Sequence, residues 1–125
     1  MKATELRIGN YVMYNGVIYT VESILSSTYL VFLHTLDKEI LMEAKMNRID
    51  PVNLTGEWLE KFKFEKIGSH YEKEKLIAFP YIGYGADMSL SFSEDWVDLD
   101  VRCDYIHQLQ NLYFAIISKE LTINR

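Results

Sequence analysis

Tyr11-Val12-Met13-Tyr14-Asn15-Gly16-Val17-Ile18-Tyr19-Thr20-Val21-Glu22-Ser23-Ile24 is the stretch that decides the fold class. Asn15 and Gly16 both tolerate positive φ, which a type I′ turn requires, so the apolar runs on either side read as a β-hairpin. Working outward, Thr28 to His34 continues the β-branched and aromatic pattern as a third strand, and Glu39 to Met42 makes a fourth. Ile49-Asp50-Pro51-Val52 adds a short edge strand, because proline is confined to strand edges and ends. Several short strands with tight turns inside about fifty residues predict a small, strongly bent sheet or barrel.

Beyond Val52 the pattern changes. Thr55 is a good N-cap, Glu57 suits the positive end of a helix dipole, and Trp58, Leu59 and Phe62 share an apolar face. From Phe64 to Phe92 the signals return to β, and the nearly continuous apolar run Leu76 to Tyr81 reads as a central strand. Met88, Leu90 and Phe92 alternate with Ser89, Ser91 and Ser93; Val97, Leu99, Val101 and Cys103 alternate with Asp98, Asp100, Arg102 and Asp104. Period two on both sides of Glu94-Asp95-Trp96 predicts a hairpin at about 88–103 with one face buried and a Ser/Asp face outward. A last helix is expected from an N-cap at Asp104 to about Ile117. Ile106, Leu109, Leu112, Tyr113, Ile116 and Ile117 lie on one side of it, and His107, Gln108, Asn111 and Ser118 on the other. Tyr105 to Ser118 contains no Lys, Arg, Asp or Glu, so this helix is expected to be covered on more than one side.

With 125 residues, 49% hydrophobic and 25% charged, the chain has the makings of a globular domain that buries roughly two thirds of its unfolded surface. Met1 to Gly9 carries Lys2, Glu5 and Arg7 and no apolar core of a signal peptide, and no apolar run reaches the ~18 residues of a membrane span. The lone Cys103 fits a reducing compartment, so the reading is a cytoplasmic protein. The net charge of −5 is local: Asp87, Glu94, Asp95, Asp98, Asp100 and Asp104 face a single base, Arg102, leaving 12 acids and 12 bases elsewhere.

Leu6-Arg7-Ile8-Gly9-Asn10-Tyr11-Val12, with Asn15-Gly16 and Val21-Glu22-Ser23-Ile24 after it, resembles the start of SH3-like barrels, a scaffold that hosts many unrelated functions. His107-Gln108-Leu109-Gln110-Asn111-Leu112-Tyr113-Phe114-Ala115 with Glu120-Leu121-Thr122 is similar to the C-terminal signature of an uncharacterised family of small proteins from gut Bacteroidetes and their phages or mobile elements. Leu54-Thr55, Glu57-Trp58-Leu59 and Lys61-Phe62 fit the middle of that family. The family resemblance implies no activity, ligand or catalytic residue. The expected fold class is α+β: an SH3-like β module over residues 1–53, then residues 54–125 with a helix, antiparallel strands including the hairpin, and a C-terminal helix, the two parts either separate or sharing one core.

Four constellations are candidates for chemistry. Glu94, Asp95, Asp98 and Asp100 offer carboxylates, but alternate residues of a strand stand ~6.5–7 Å apart, and no loop with an EF-hand pattern is present to wrap a cation, so no metal is assigned. The same acids suit docking of a protein with a basic surface. Gln108, Asn111 and His107 on the uncharged helix can hydrogen-bond a partner, or the helix 105–118 can form a homodimer seam. Tyr11, Tyr14 and Tyr19 would make an aromatic groove beside the first hairpin. His34, His70 and His107 fall on separate elements without zinc spacing, and Cys103 sits on the buried parity of its strand, so no catalytic residue and no cofactor are assigned. Lys61, Lys63, Lys66, Lys73 and Lys75 are interleaved with Glu60, Glu65, Glu72 and Glu74, which disfavours duplex nucleic acid. The reading is a non-enzymatic interaction or accessory protein. The alternative is a nucleic-acid-associated module that stacks single-stranded bases on the tyrosines.

Overall fold

The computed structural model describes residues 5–25, 30–92 and 95–123. They form an α+β protein with two antiparallel sheets and a C-terminal helix, divided into two compact units, Met1–Val52 and Asn53–Arg125.

In the first unit β1 (Tyr11–Tyr14), β2 (Val17–Leu25), β3 (Leu30–Thr35) and β4 (Leu41–Lys45) pair in sequence order. Asn15 and Gly16 take φ of 52° and 77°, as the tight hairpin requires, and Tyr14 pairs with Val17 across them. The entry to β1 is tied by a small turn in which the Asn10 side chain accepts from the Arg7 N–H at 2.7 Å while the Gly9 N–H donates to Val21. A bulge at Glu22 shifts the β2 register, so Val21 and Ile24 both point inward. Val12, Val21, Val31, Leu33 and Ala44 form the inner face and pack with Leu6, Met46 and Ile49. Each large side chain so buried contributes on the order of 1.5–3 kcal/mol.

Two details differ from expectation here. The strand foreseen over 49–52 is a single bridge: after a 3₁₀ turn at Met46–Arg48, Asp50 exchanges two backbone hydrogen bonds with Met13, and Pro51 prevents the ladder from continuing. Among the described residues no pairing joins β1 to β4, so the sheet is a bent four-stranded meander and not a closed barrel. The start foreseen for the third strand at Thr28 lies outside the described residues.

The second unit begins with α1 (Gly56–Lys61). The Thr55 hydroxyl accepts from the Trp58 N–H at 3.5 Å, and Leu59 and Phe62 are fully buried. The C-terminal end of α1 is closed by Lys73, whose Nζ donates to the Phe62 carbonyl at 2.6 Å; burial lowers the Lys73 pKa. β5 (Glu65–Ile67), β6 (His70–Lys73), β7 (Leu76–Pro80), β8 (Ala86–Phe92) and β9 (Asp95–Cys103) form a five-stranded meander with β7 at its centre. Tyr71, Leu76, Ala78, Ala86, Met88 and Cys103 share the inner face. α2 (Ile106–Ile117) covers that face: Tyr113 packs edge-on against Phe64 and lies under the Lys73 ammonium.

Helix α2 starts one residue later than the N-cap expected at Asp104 implied. Tyr105, not Asp104, is the N-cap residue, because the Asp104 carboxylate is taken by Arg102. The helix is indeed buried on more than one side, since His107 and Gln110 join Ile106, Leu109 and Tyr113 in the interior. Gln110 is accommodated by donating to the Leu121 carbonyl at 3.0 Å.

Cys103 is 1% exposed, and burial, aided by the charge of Asp104, pushes its thiol up from 9.0 to about 12. The folded chain therefore holds this proton more tightly than the unfolded chain. The resulting stability is fully present below about pH 9 and is lost as pH rises toward about 12. Chemical denaturation across that window is expected to show a declining unfolding free energy. The share from this one group has a slope of at most about 1.4 kcal/mol per pH unit and disappears in Cys103→Ala. A thiol reagent at pH 8 is expected to modify the unfolded protein and leave the native one untouched.

Candidate functional site

β9 ends the sheet and has a partner strand on one side only. Asp95 to Arg102 are exposed save for half-buried Leu99. Its ladder with β8 is interrupted: Met88 pairs with Val101 and Ser89 with Asp98, so Leu99 and Asp100 are two extra residues on the edge. Asp100 takes φ of 53°, and the Asp98 carboxylate accepts its N–H at 2.9 Å, closing the bulge locally. The Asp95 carboxylate accepts the Trp96 N–H in the same manner at 2.8 Å. Among the described residues no Lys or Arg is ion-paired with Asp95, Asp98 or Asp100.

The alternation of burial foreseen for this hairpin does not hold, although the two-residue bulge preserves strand parity. Val97 and Val101, assigned to the buried parity, are 46% and 38% exposed, and only Cys103 of that set is buried. On the facing side Ser89, assigned to solvent, is buried. The reason is Trp96. Ile77 and Ser89 occupy the row between Phe79 and Trp96, whose rings nevertheless approach to 5.7 Å, so the indole spans that row. Phe79 in turn meets His70 at 5.4 Å. This aromatic row across the outer face went unforeseen; its only sequence signal is that Phe79 stands on the parity opposite Leu76 and Ala78.

The other predicted residues do not gather with the acids. Glu94 lies outside the described residues. Gln108 is engaged at the start of α2, its Oε1 accepting from the N–H groups of Asp104 at 2.8 Å and Tyr105 at 3.1 Å. His107 is buried and stacked on Tyr105, and Asn111 is half-buried. In the first unit Tyr11 is buried, while Tyr14 and Tyr19 are half-buried and pack edge-on against each other, so the three do not line one exposed groove. Among the described residues no three His, Cys, Asp or Glu side chains are placed to hold a metal ion, and no helix is long and apolar enough to cross a membrane.

Next to the C-terminal end of β9 stands a clamp that uses two acids of the acidic window, Asp87 and Asp104. The Tyr81 hydroxyl donates to Asp87 at 2.5 Å, which keeps it protonated above the usual tyrosine range. The Arg102 guanidinium lies 4.1 Å from the Tyr81 ring centroid and donates to Asp104. Asp87 and Asp104 are thereby spent within the fold, and the free acidity belongs to β9. The clamp, with Tyr84 stacked on Tyr105, holds the loop from Tyr81 to Gly85 and leaves Ile82 fully exposed at its tip.

No protein-family model, no curated protein and no solved structure matches the chain.

Gly85 has φ of 90°, and a Cβ there would stand 2.8 Å from the Asp104 oxygen and 3.2 Å from the Arg102 guanidinium, whereas at Gly83, φ 97°, it would meet nothing. Gly83→Ala is expected to cost about 1–2 kcal/mol from backbone conformation alone. Gly85→Ala is expected to cost about 1–3 kcal/mol and to exceed the Gly83 variant, because it also loosens the clamp. Urea midpoints at unchanged slope measure both.

Proposed function

We propose that the chain is a non-enzymatic interaction protein whose β9 edge receives an extended, basic segment of another protein as an added strand. The observation that carries this reading is the composition of that edge. Trp96, Val97 and Val101 are exposed on a strand with one side unpaired, between three carboxylates that no Lys or Arg among the described residues pairs with. An added strand gains backbone hydrogen bonds, its alternate side chains find the exposed apolar groups, and Lys or Arg in it meets Asp95, Asp98 and Asp100. A second copy of the chain is the poorer occupant, since antiparallel pairing of two β9 strands sets these acids against one another.

The same reading takes the chain as a cytoplasmic accessory protein, with the phage or mobile-element origin that its C-terminal resemblance implies. It takes the first unit as a scaffold of SH3-like type. The support for that scaffold is the tight Asn15-Gly16 hairpin and the return of Asp50 onto β1 after the 3₁₀ turn, the move by which a small barrel begins to close.

A random peptide array probed with the full chain tests the proposal. Selected peptides are expected to be enriched in Lys or Arg alternating with apolar residues, and to bind more weakly as salt rises. Asp98→Lys with Asp100→Lys is expected to weaken them about tenfold or more, the effect of losing one or two charge-assisted contacts. Enrichment without basic residues, or equal binding by the double variant, would falsify the assignment of this edge.

A further inference from the structure

The first unit holds a second feature, unrelated to β9. A cleft of about 280 Å³ is lined by Tyr14, Leu30, Glu43, Ala44, Lys45 and Arg48. Its polar groups arrive from the sequence in a simple way. Lys45 ends β4 and is the residue on which the 3₁₀ turn Met46–Arg48 begins, so Lys45 and Arg48 are three apart across that turn. Lys45 itself is extended and Arg48 closes the turn, and both side chains line the cleft. Among the described residues neither is paired with a carboxylate.

Apart from Glu43, the rest of the lining is apolar or aromatic. Tyr14 closes β1 at the margin of the core, where Tyr19 meets it edge-on at 6.3 Å and fixes its ring. Leu30 stands directly across the ladder from Lys45, and buried Ala44 faces Val31 in the next row. Two cations without an ion-pair partner among the described residues thus share the cleft with an aromatic ring, an aliphatic side chain and the single carboxylate of Glu43.

We propose that this cleft binds a small organic oxyanion, a carboxylate or a phosphate carried on a compact apolar or aromatic body. The guanidinium of Arg48 offers a planar fork that matches two oxygens of either group, and the Lys45 ammonium adds a point charge beside it. The body of the ligand lies on Tyr14 and Leu30. The volume lies just below the usual range for ligand pockets, roughly 300 Å³ upward, so the fit is to a single small molecule and not to a polymer. Glu43, on the same side of β4 as Lys45, restricts the choice further: it repels a second oxyanion and accepts from a hydroxyl or N–H of the ligand. The site depends on the first unit alone, so its failure leaves the reading of β9 untouched.

Amide chemical shifts of the full chain, titrated separately with phenyl phosphate, benzoate, inorganic phosphate and benzyl alcohol, test this. Saturable shifts at Ala44, Lys45 and Arg48 are expected with phenyl phosphate or benzoate, and the tighter of the two identifies the headgroup. Inorganic phosphate, lacking the body, is expected to bind at least several-fold more weakly, and benzyl alcohol, lacking the charge, not to saturate. Arg48→Ala, an exposed position whose far-UV spectrum is expected to be unchanged, should weaken the better ligand about tenfold, the loss of a charge-assisted pair. The proposal fails if neither aromatic anion saturates, if benzyl alcohol or inorganic phosphate binds as tightly as the better of them, or if Arg48→Ala binds it undiminished.

Discussion

Leu54 is the residue on which the second unit hangs. Its N–H donates to the Asp104 carbonyl at 2.9 Å, its carbonyl accepts from the Gly85 N–H at 2.7 Å, and its side chain is fully buried. Buried backbone groups must be paired, and here the pairing reaches three places at once: the entry to α1, the end of the β7–β8 loop, and the junction of β9 with α2. Asn53 extends the contact by bridging to Tyr105. Two strands that would otherwise continue side by side are wedged apart at Gly85 and Asp104. The Arg102 clamp and the capping of α2 by Gln108 both sit at that wedge. The position of β9 relative to the helices follows from this one residue's backbone.

The same wedge separates what the sequence disclosed from what it did not. Local signals carried well: Asn15-Gly16 with positive φ, Thr55 as a cap, the β7 run at the sheet centre, and an uncharged helix covered on more than one side are each decided by a few neighbouring residues. What period two cannot report is what lies above a face. Val97 and Val101 have the parity of core residues yet stand exposed, because β9 is an edge and α2 begins only after Cys103. Ser89 has the parity of solvent yet is covered by an indole seven residues away. The acidic window was legible as composition, but its division was not. Asp87 is engaged by Tyr81, which no spacing rule connects to it, and Asp104 by Arg102, a neighbour on the same strand parity, whereas Asp95, Asp98 and Asp100 have no Lys or Arg partner among the described residues. The tyrosine cluster shows the same limit: Tyr11, Tyr14 and Tyr19 are near in sequence, but strand parity sends Tyr11 to one side and the other two to the margin of the core.

Edge strands ordinarily carry charge or distortion to stop other chains from pairing with them. β9 carries both, and it also carries exposed apolar groups that such protection alone would not call for. Acidic residues exclude a like-charged strand while leaving the edge open to one of opposite charge, so discrimination and attraction come from the same three carboxylates.

The two-residue bulge has a bearing on how the β8–β9 hairpin finds its alignment. A slip of one residue turns every side chain to the wrong face and is rejected at once, but a slip of two preserves parity and is the error a polar, alternating hairpin is prone to make. Leu99 and Asp100 can be extruded at one place only, where Asp100 adopts a left-handed conformation and Asp98 captures its N–H. A shift of two would put into that conformation either the bulky Arg102 or Asp98, and Asp98 would have Trp96 and no carboxylate two positions before it to capture its N–H. The irregularity therefore works as a ratchet tooth, letting the hairpin close in a single frame.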